Sequence, residues 1–161
     1  MNEASPLKSN VSYIMFEEKY ASDFASINYQ WLADYFDIEP QDKVVLENPV
    51  GEVIDKGGQV FFAVVEGKAV GTVALILKEP GTFELVKMGV LSAYKGLKIG
   101  KGLIQSAIDY AQKLGMNKII LETSSKLLPA ISLYQKAGFR IIEPDPNTKY
   151  KRCDLWMELK L

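Results

Sequence analysis

Tyr94-Lys95-Gly96-Leu97-Lys98-Ile99-Gly100-Lys101-Gly102 follows a strand-like run at residues 83–90 and opens an amphipathic helix. It places three glycines and three lysines at a strand-to-helix turn. At such a turn the first backbone N–H groups of the helix have no partner and the helix dipole favours an anion. Glycine lets a ligand approach the chain closely, and lysines add positive charge. The physical reading is a pyrophosphate cradle. Only three residues separate Gly96 from Gly100, and Gly102 follows Lys101, so this is not a P-loop. The dinucleotide fingerprint G-x-G-x-x-G after a first strand is also absent. The alternative is a glycine-rich turn that only starts a helix.

The surroundings of the turn narrow the choice. The run Glu84-Leu85-Val86-Lys87-Met88-Gly89-Val90, the turn and the helix at 102–114 together resemble the acetyl-CoA-binding motif of GNAT-superfamily N-acetyltransferases, Arg/Gln-x-x-Gly-x-Gly/Ala. Lys95 takes the first position, Lys98 the first glycine position and Gly100 the last, so two of the three positions depart from the strict pattern. A second segment, Leu133-Tyr134-Gln135-Lys136-Ala137-Gly138-Phe139, resembles the later family segment Leu-Tyr-x-Lys-x-Gly-Phe. The family often has an Asn upstream of this Tyr; here that position is Leu127. The two motifs stand in family order with a strand between them, and the resemblance covers residues 61–161.

Composition is that expected of a soluble globular protein. At 161 residues the chain is long enough for a real core, and 1–161 is expected to form a single domain, with 1–10 a flexible or edge segment. A net charge of −1 supplies no basic field, so nucleic acid is not an expected partner. No apolar run approaches the roughly 18 residues of a membrane span. The polar start is not that of a signal peptide. A single cysteine, Cys153, suits a reducing cytoplasm. There is no histidine, which removes Ser-His-Asp and Cys-His catalysis and imidazole zinc sites; no metal is expected. Any acid or base must be Asp, Glu, Tyr, Lys or Cys, or a held water.

The patterning predicts an α/β chain. Residues 21–36 read as a helix with Phe24, Ile27, Trp31, Leu32 and Tyr35 as its apolar stripe. Residues 42–54 read as a second helix interrupted by Pro49 and Gly51. Strands follow at 60–65, 70–77 and 82–90, joined by turns at 66–68 and 79–81. Leu103, Ile104, Ala107, Ile108, Ala111 and Leu114 line the next helix, which Gly115 ends. A strand at 118–123, a helix from Pro129 to Gly138, and strands at 139–142 and 153–159 complete the set. Together they make a mixed sheet flanked by helices. The resemblance adds that two parallel strands splay apart to admit the pantetheine arm.

The resemblance also implies the chemistry: an acetyl group moves from acetyl-CoA to a primary amine. Met88, Gly89 and Val90 are the expected backbone for the carbonyl, and Lys95, Gly96, Lys98, Ile99, Gly100 and Lys101 for the phosphates. Tyr134 is the candidate general acid toward the leaving thiolate, since a phenol with a pKa of about 10 keeps its proton at neutral pH; the alternative is a packing tyrosine. Glu84 is the candidate base. Strand alternation, if unbroken, puts it on one face with Val86, Met88 and Val90; the alternative is a carboxylate in solvent or in a salt bridge. Glu122 and Thr123 flank the acceptor or pantetheine, with Glu122 a second candidate base. Tyr29 and Trp31 are expected at the acceptor pocket. Nearby Asp34, Asp37, Glu39 and Asp42 favour a cationic small-molecule or peptide amine, unless they form a solvated helix face. The family's domains often pair, so a homodimer is a further expectation. A non-catalytic acyl-CoA sensor on the same scaffold is the competing function, and a nucleotide-binding protein with a chance glycine turn is a third.

Overall fold

A computed structural model describes residues 10–161. The expectation for residues 1–10 therefore lies, apart from Asn10, outside the described residues. Seven strands form one sheet: β1 (Val11–Met15), β2 (Gln59–Val65), β3 (Lys68–Glu79), β4 (Thr82–Val90), β5 (Lys118–Thr123), β6 (Arg140–Ile142) and β7 (Leu155–Lys160), in the order β1-β2-β3-β4-β5-β7-β6. Among the described residues, four α-helices flank it: α1 (Ala21–Tyr35), α2 (Pro40–Leu46), α3 (Ile99–Lys113) and α4 (Leu128–Lys136). A single π turn at Val50–Ile54 follows α2, where Pro49 and Gly51 interrupt the apolar pattern. No helix among the described residues is long and apolar enough to cross a membrane.

Period-two alternation in β2 divides the core. Phe61, Ala63 and Val65 pack under α3 with Leu103, Ile104, Ala107, Ile108 and Ala111. Val60 and Phe62 face the opposite way, against Phe24, Ile27 and Leu32 of α1 and Val45 and Leu46 of α2. The α3 stripe follows the sequence pattern except at Leu114, which caps the helix and is exposed. In α1 the deep positions are buried, while Tyr35 is exposed. β1 has no counterpart among the predicted strands. It adds an antiparallel edge to β2, from Val11 opposite Val65 to Met15 opposite Phe61.

All neighbouring strands are antiparallel except β4 and β5. That parallel pair is short: Thr82, Phe83 and Glu84 face Lys118, Ile119 and Ile120, and pairing then stops. Beyond it β4 stays with β3, Gly89 opposite Thr72, while β5 stays with β7, Thr123 opposite Leu155. The sheet therefore opens between the C-terminal ends of β4 and β5, and ligands of open α/β sheets bind at the ends of diverging parallel strands.

A bulge in β4 corrects the expected alternation. Gly89 opposes Thr72 and Val86 opposes Ala74, so Lys87 and Met88 together face Val73. Lys87 adopts a left-handed φ of 56°, as a bulge of this kind requires. Past it the faces exchange. Val86 belongs to the core under α1, whereas Met88 and Val90 pack on the α3 side. Glu84 and Val86 thus do not share a face with Met88 and Val90.

Candidate active site

The gap between β4 and β5 opens into a cavity of about 640 Å³. Met88, Gly89, Val90, Lys95, Gly96, Lys98, Ile99, Gly100, Lys101, Tyr134, Glu84, Trp31, Glu122 and Thr123 all line it. Of the residues expected at the site, Tyr29 is the exception. Its hydroxyl donates to Glu47 Oε2 at 2.7 Å, on the far side of α1 from the cavity lining. Burial first, and then this bond to a carboxylate, push the Tyr29 hydroxyl up to about 12.

At one end stands the start of α3. Lys98 caps it in a left-handed conformation, φ 61° and ψ 26°. The first cap-to-helix bond is Gly102 N–H to the Lys98 carbonyl at 3.2 Å. Among the described residues, the N–H groups of Gly96 and of Lys98 to Lys101 donate to no protein acceptor outside the helix, and the first turn has none within it. These unspent donors sit beside Lys95, Lys98 and Lys101, all solvent-facing. The left-handed cap explains why a glycine suits position 98 and why lysine also functions there: the conformation presents the backbone, and the side chain points to solvent. Gly100 sits close to α4: a Cβ there would stand 3.1 Å from Leu133 Cδ1, so that side chain would have to give by a few tenths of an ångström.

Tyr134 stands on α4 beneath the gap. Its ring packs on Phe139 with centroids 5.9 Å apart, and its hydroxyl makes no hydrogen bond to a described residue. Since no fully enclosed side-chain oxygen lacks a partner, that hydroxyl reaches the cavity. Burial, and to a smaller degree Cys153, raise its pKa well above the usual tyrosine range.

Glu84 lies on the last paired rung of β4 and β5, its side chain 14% exposed. Burial raises its carboxyl above the ordinary range; Lys78, at 3.6 Å, opposes this, and Glu122 adds to it. The salt-bridge alternative is thus present together with cavity exposure. Glu122 is already engaged: Oε1 accepts from Thr148 Oγ1 at 2.6 Å and Oε2 from Trp156 Nε1 at 3.1 Å.

The loop 143–154, which the sequence did not bring to the site, contributes Tyr150, Arg152 and Cys153 to the cavity. Its length, between two short strands and rich in Pro and polar residues, was the available signal. Arg152 Nη2 donates to Asp42 Oδ1 at 2.7 Å, and Nη1 to Asp42 Oδ2 at 2.9 Å and Glu39 Oε2 at 3.3 Å. Lys87 Nζ, carried by the bulge, donates to Asp42 Oδ1 at 2.6 Å and Tyr150 Oη at 3.0 Å. Burial alone would raise the Asp42 pKa, but hydrogen bonds from Arg152 and Lys87 outweigh it and hold the carboxyl below its usual range. Asp42 also closes a capping box at α2, accepting the Glu39 N–H at 2.8 Å.

The acidic residues of the N-terminal helices therefore do not line this cavity. Asp42 is buried behind Lys87 and Arg152, while Asp34, Asp37 and Glu39 border a separate outer groove. Burial, followed by Glu122, pushes the Cys153 thiol up to about 12, the opposite of the lowered pKa that activates a cysteine nucleophile.

The sheet thus opens between two parallel strands, with a helix start and its free N–H groups bordering the cavity together with a tyrosine and a carboxylate. The family model described as acetyltransferase (GNAT) family matches residues 17–139. An uncharacterized N-acetyltransferase of Schizosaccharomyces pombe is 35% identical over 117 residues, which span 68% of this chain and 72% of that protein. A GNAT-family acetyltransferase from Staphylococcus aureus superposes with a TM-score of 0.84 at 25% identity, over 93% of this chain and 98% of that one. PaiA N-acetyltransferase from Thermoplasma acidophilum, solved with coenzyme A, shares the fold with a TM-score of 0.74 at 18% identity, over 94% and 99% of the two chains. The chain belongs to the acetyltransferase (GNAT) family, and its activity is that of an N-acetyltransferase. Family membership favours the enzyme over the sensor.

Proposed function

We propose that the chain moves an acetyl group from acetyl-CoA to a primary amine by direct attack in a ternary complex. One observation carries the reading: the free N–H groups of α3, Glu84 and Tyr134 all border one continuous cavity. The N–H groups of Gly96 and Lys98 to Lys101 would hold the pyrophosphate, with Lys95, Lys98 and Lys101 adding charge. The pantetheine arm would run into the gap between β4 and β5, and backbone N–H groups at Met88, Gly89 and Val90 would face the acetyl oxygen.

In the transfer step the amine nitrogen bonds to the acetyl carbon and the carbon–sulfur bond breaks. Glu84, directly or through a water, takes the proton that the amine gives up. Tyr134 gives its proton to the departing sulfur. A carboxyl raised by burial is closer to the pKa a base needs near neutrality, and a tyrosine raised by burial remains protonated. The protonated Cys153 supports transfer without an acyl-enzyme. The single cysteine keeps the cytoplasm as the proposed setting.

Calorimetric titration with acetyl-CoA, using ATP and NAD as controls, followed by a thiol-release assay over a panel of amines, tests the reading. We expect acetyl-CoA alone to bind and at least one amine to accelerate thiol release. Binding without release for every amine rejects the transfer step.

A further inference from the structure

We propose that the acceptor carries a carboxylate as well as its amine, and that Arg152 and Lys87 hold that carboxylate. This rests on the transfer reading above and deepens it. The side chains that remain available at the acceptor end are unbalanced. Lys87, Lys126 and Arg152 line the cavity there, against Glu84 and Glu122. Glu122 already has a protein donor on each oxygen, and Glu84 is the base. The acids that neutralise the cations, Asp42 and Glu39, stand behind them and do not line the cavity.

Counting donors gives the same direction. A guanidinium has five N–H groups and an ammonium three. Arg152 gives three hydrogen bonds to Asp42 and Glu39. Lys87 gives two, to Asp42 and Tyr150. Two N–H groups of Arg152 and one of Lys87 remain unspent among the described residues. The Tyr150 hydroxyl accepts from Lys87 and its own proton has no acceptor there.

The cations are also fixed in place. Asp42 grips Arg152 through both carboxylate oxygens, and the Tyr150 ring lies 4.5 Å from Arg152 Cζ and 4.4 Å from Lys87 Nζ. A guanidinium locked in this way is preorganised for a planar anion, with little further entropy to lose. Lys87 and Arg152 are balanced by Asp42 and Glu39, and Lys126 lies over the Phe36 ring at 5.6 Å. What selects the anion is the unspent N–H groups of Lys87 and Arg152, which one carboxylate can accept and the ammonium groups of a polyamine cannot. Trp31, Tyr35 and Phe36 make an apolar wall beside these cations, which fits a free amino acid with an apolar side chain.

The test compares phenylalanine, phenethylamine and spermidine as acceptors in the thiol-release assay. We expect kcat/KM for phenylalanine to exceed that for phenethylamine by about tenfold or more, the size of one charge-assisted hydrogen-bond anchor. Arg152→Gln should collapse that ratio mainly through KM, and Arg152→Lys should restore part of it. Equal or better use of phenethylamine or spermidine overturns the carboxylate anchor while leaving N-acetyl transfer standing. No thiol release with any amine, with acetyl-CoA bound, overturns the transfer reading and this inference with it. The comparison in the unaltered protein decides even if the Arg152 variants fold poorly.

Discussion

Gly89 of β4 lies directly against the indole of Trp31 on α1: a Cβ at position 89 would stand 2.6 Å from Trp31 Cδ1 and 2.7 Å from Nε1. The indole cannot swing away freely, because Nε1 donates to Asn28 Oδ1 at 3.0 Å and the buried Asn28 in turn donates to the Phe24 carbonyl. Helix and strand meet here at the closest spacing a side chain allows. Gly89→Ala should therefore destabilise the fold by about 1–3 kcal/mol, the usual cost of overpacking. Urea unfolding measures the loss, and weaker acetyl-CoA binding by calorimetry should accompany it.

Lys98 bears a left-handed conformation that costs an ordinary residue about 1–2 kcal/mol. Lys98→Gly relieves that strain but loosens the unfolded chain, so its stability should fall within about 1 kcal/mol of the parent. Lys98→Val, β-branched and poorly suited to positive φ, should lose about 1–2 kcal/mol or more. Parallel urea melts of the two variants separate backbone conformation from the loss of charge that both share.

Tyr134→Phe should lower kcat about 100-fold or more, the range for removal of a general acid, while leaving acetyl-CoA affinity near that of the parent. Because burial raises the Tyr134 pKa, the parent's activity should show no alkaline decline attributable to this residue at the ordinary tyrosine value of about 10. Rate–pH profiles of both proteins at saturating substrates check this; unchanged kcat in the variant removes the acid role.

Glu84 should set the acid limb of kcat/KM, and that limb should lie above the ordinary carboxylate range because burial raises its pKa. Glu84→Gln should abolish the limb along with most of the rate. Stability moves with a definite sign. The folded state holds the proton more tightly than the unfolded one, so Glu84 costs stability increasingly as pH rises from the unfolded value through the folded one. Glu84→Gln should thus gain stability relative to the parent near neutrality, and the difference should vanish in acid. Denaturant melts across pH measure it.

Asp42 has the opposite sign. Its folded pKa lies below the unfolded value of about 3.9, so its stabilisation is complete above that value and is lost as pH falls through the folded one. Asp42→Asn leaves Lys87 without its carboxylate and Arg152 with Glu39 alone, and should cost about 3–5 kcal/mol at neutral pH. Below the folded pKa the variant and the parent should converge, which guanidinium titrations at neutral and acid pH will show.

The cofactor half of this site was legible because it is contiguous. Residues 94–102 and 133–139 each carry their own message, and the cavity gathers both. Tyr134 and Glu84 followed from motif and strand position. The error at Met88 and Val90 came from a bulge, which depends on the pairing of β4 with β3 and leaves no mark in alternation until register is known. Tyr29 misled because an aromatic on α1 can face the cavity or α2, and a carboxylate at Glu47 decides which. Asp42 read as surface charge because its partners lie 45 and 110 residues away. The strand β1 was missed because only Val11 and Ile14 of its five residues are partly buried, one on each face of the sheet, too few for a pattern.

The Asp42 cluster ties α2, the β4 bulge and the loop 143–154 at one point. The proposed phosphate-binding end needs only a local turn and the helix that follows it. The acceptor end exists only after chain segments separated by about two-thirds of the sequence have met, and contacts of that span form slowly. During synthesis the two ends of the cavity should therefore mature at different moments: a nascent chain that has emerged through residue 139 carries the proposed phosphate grip, while the proposed acceptor anchor still waits in the ribosome.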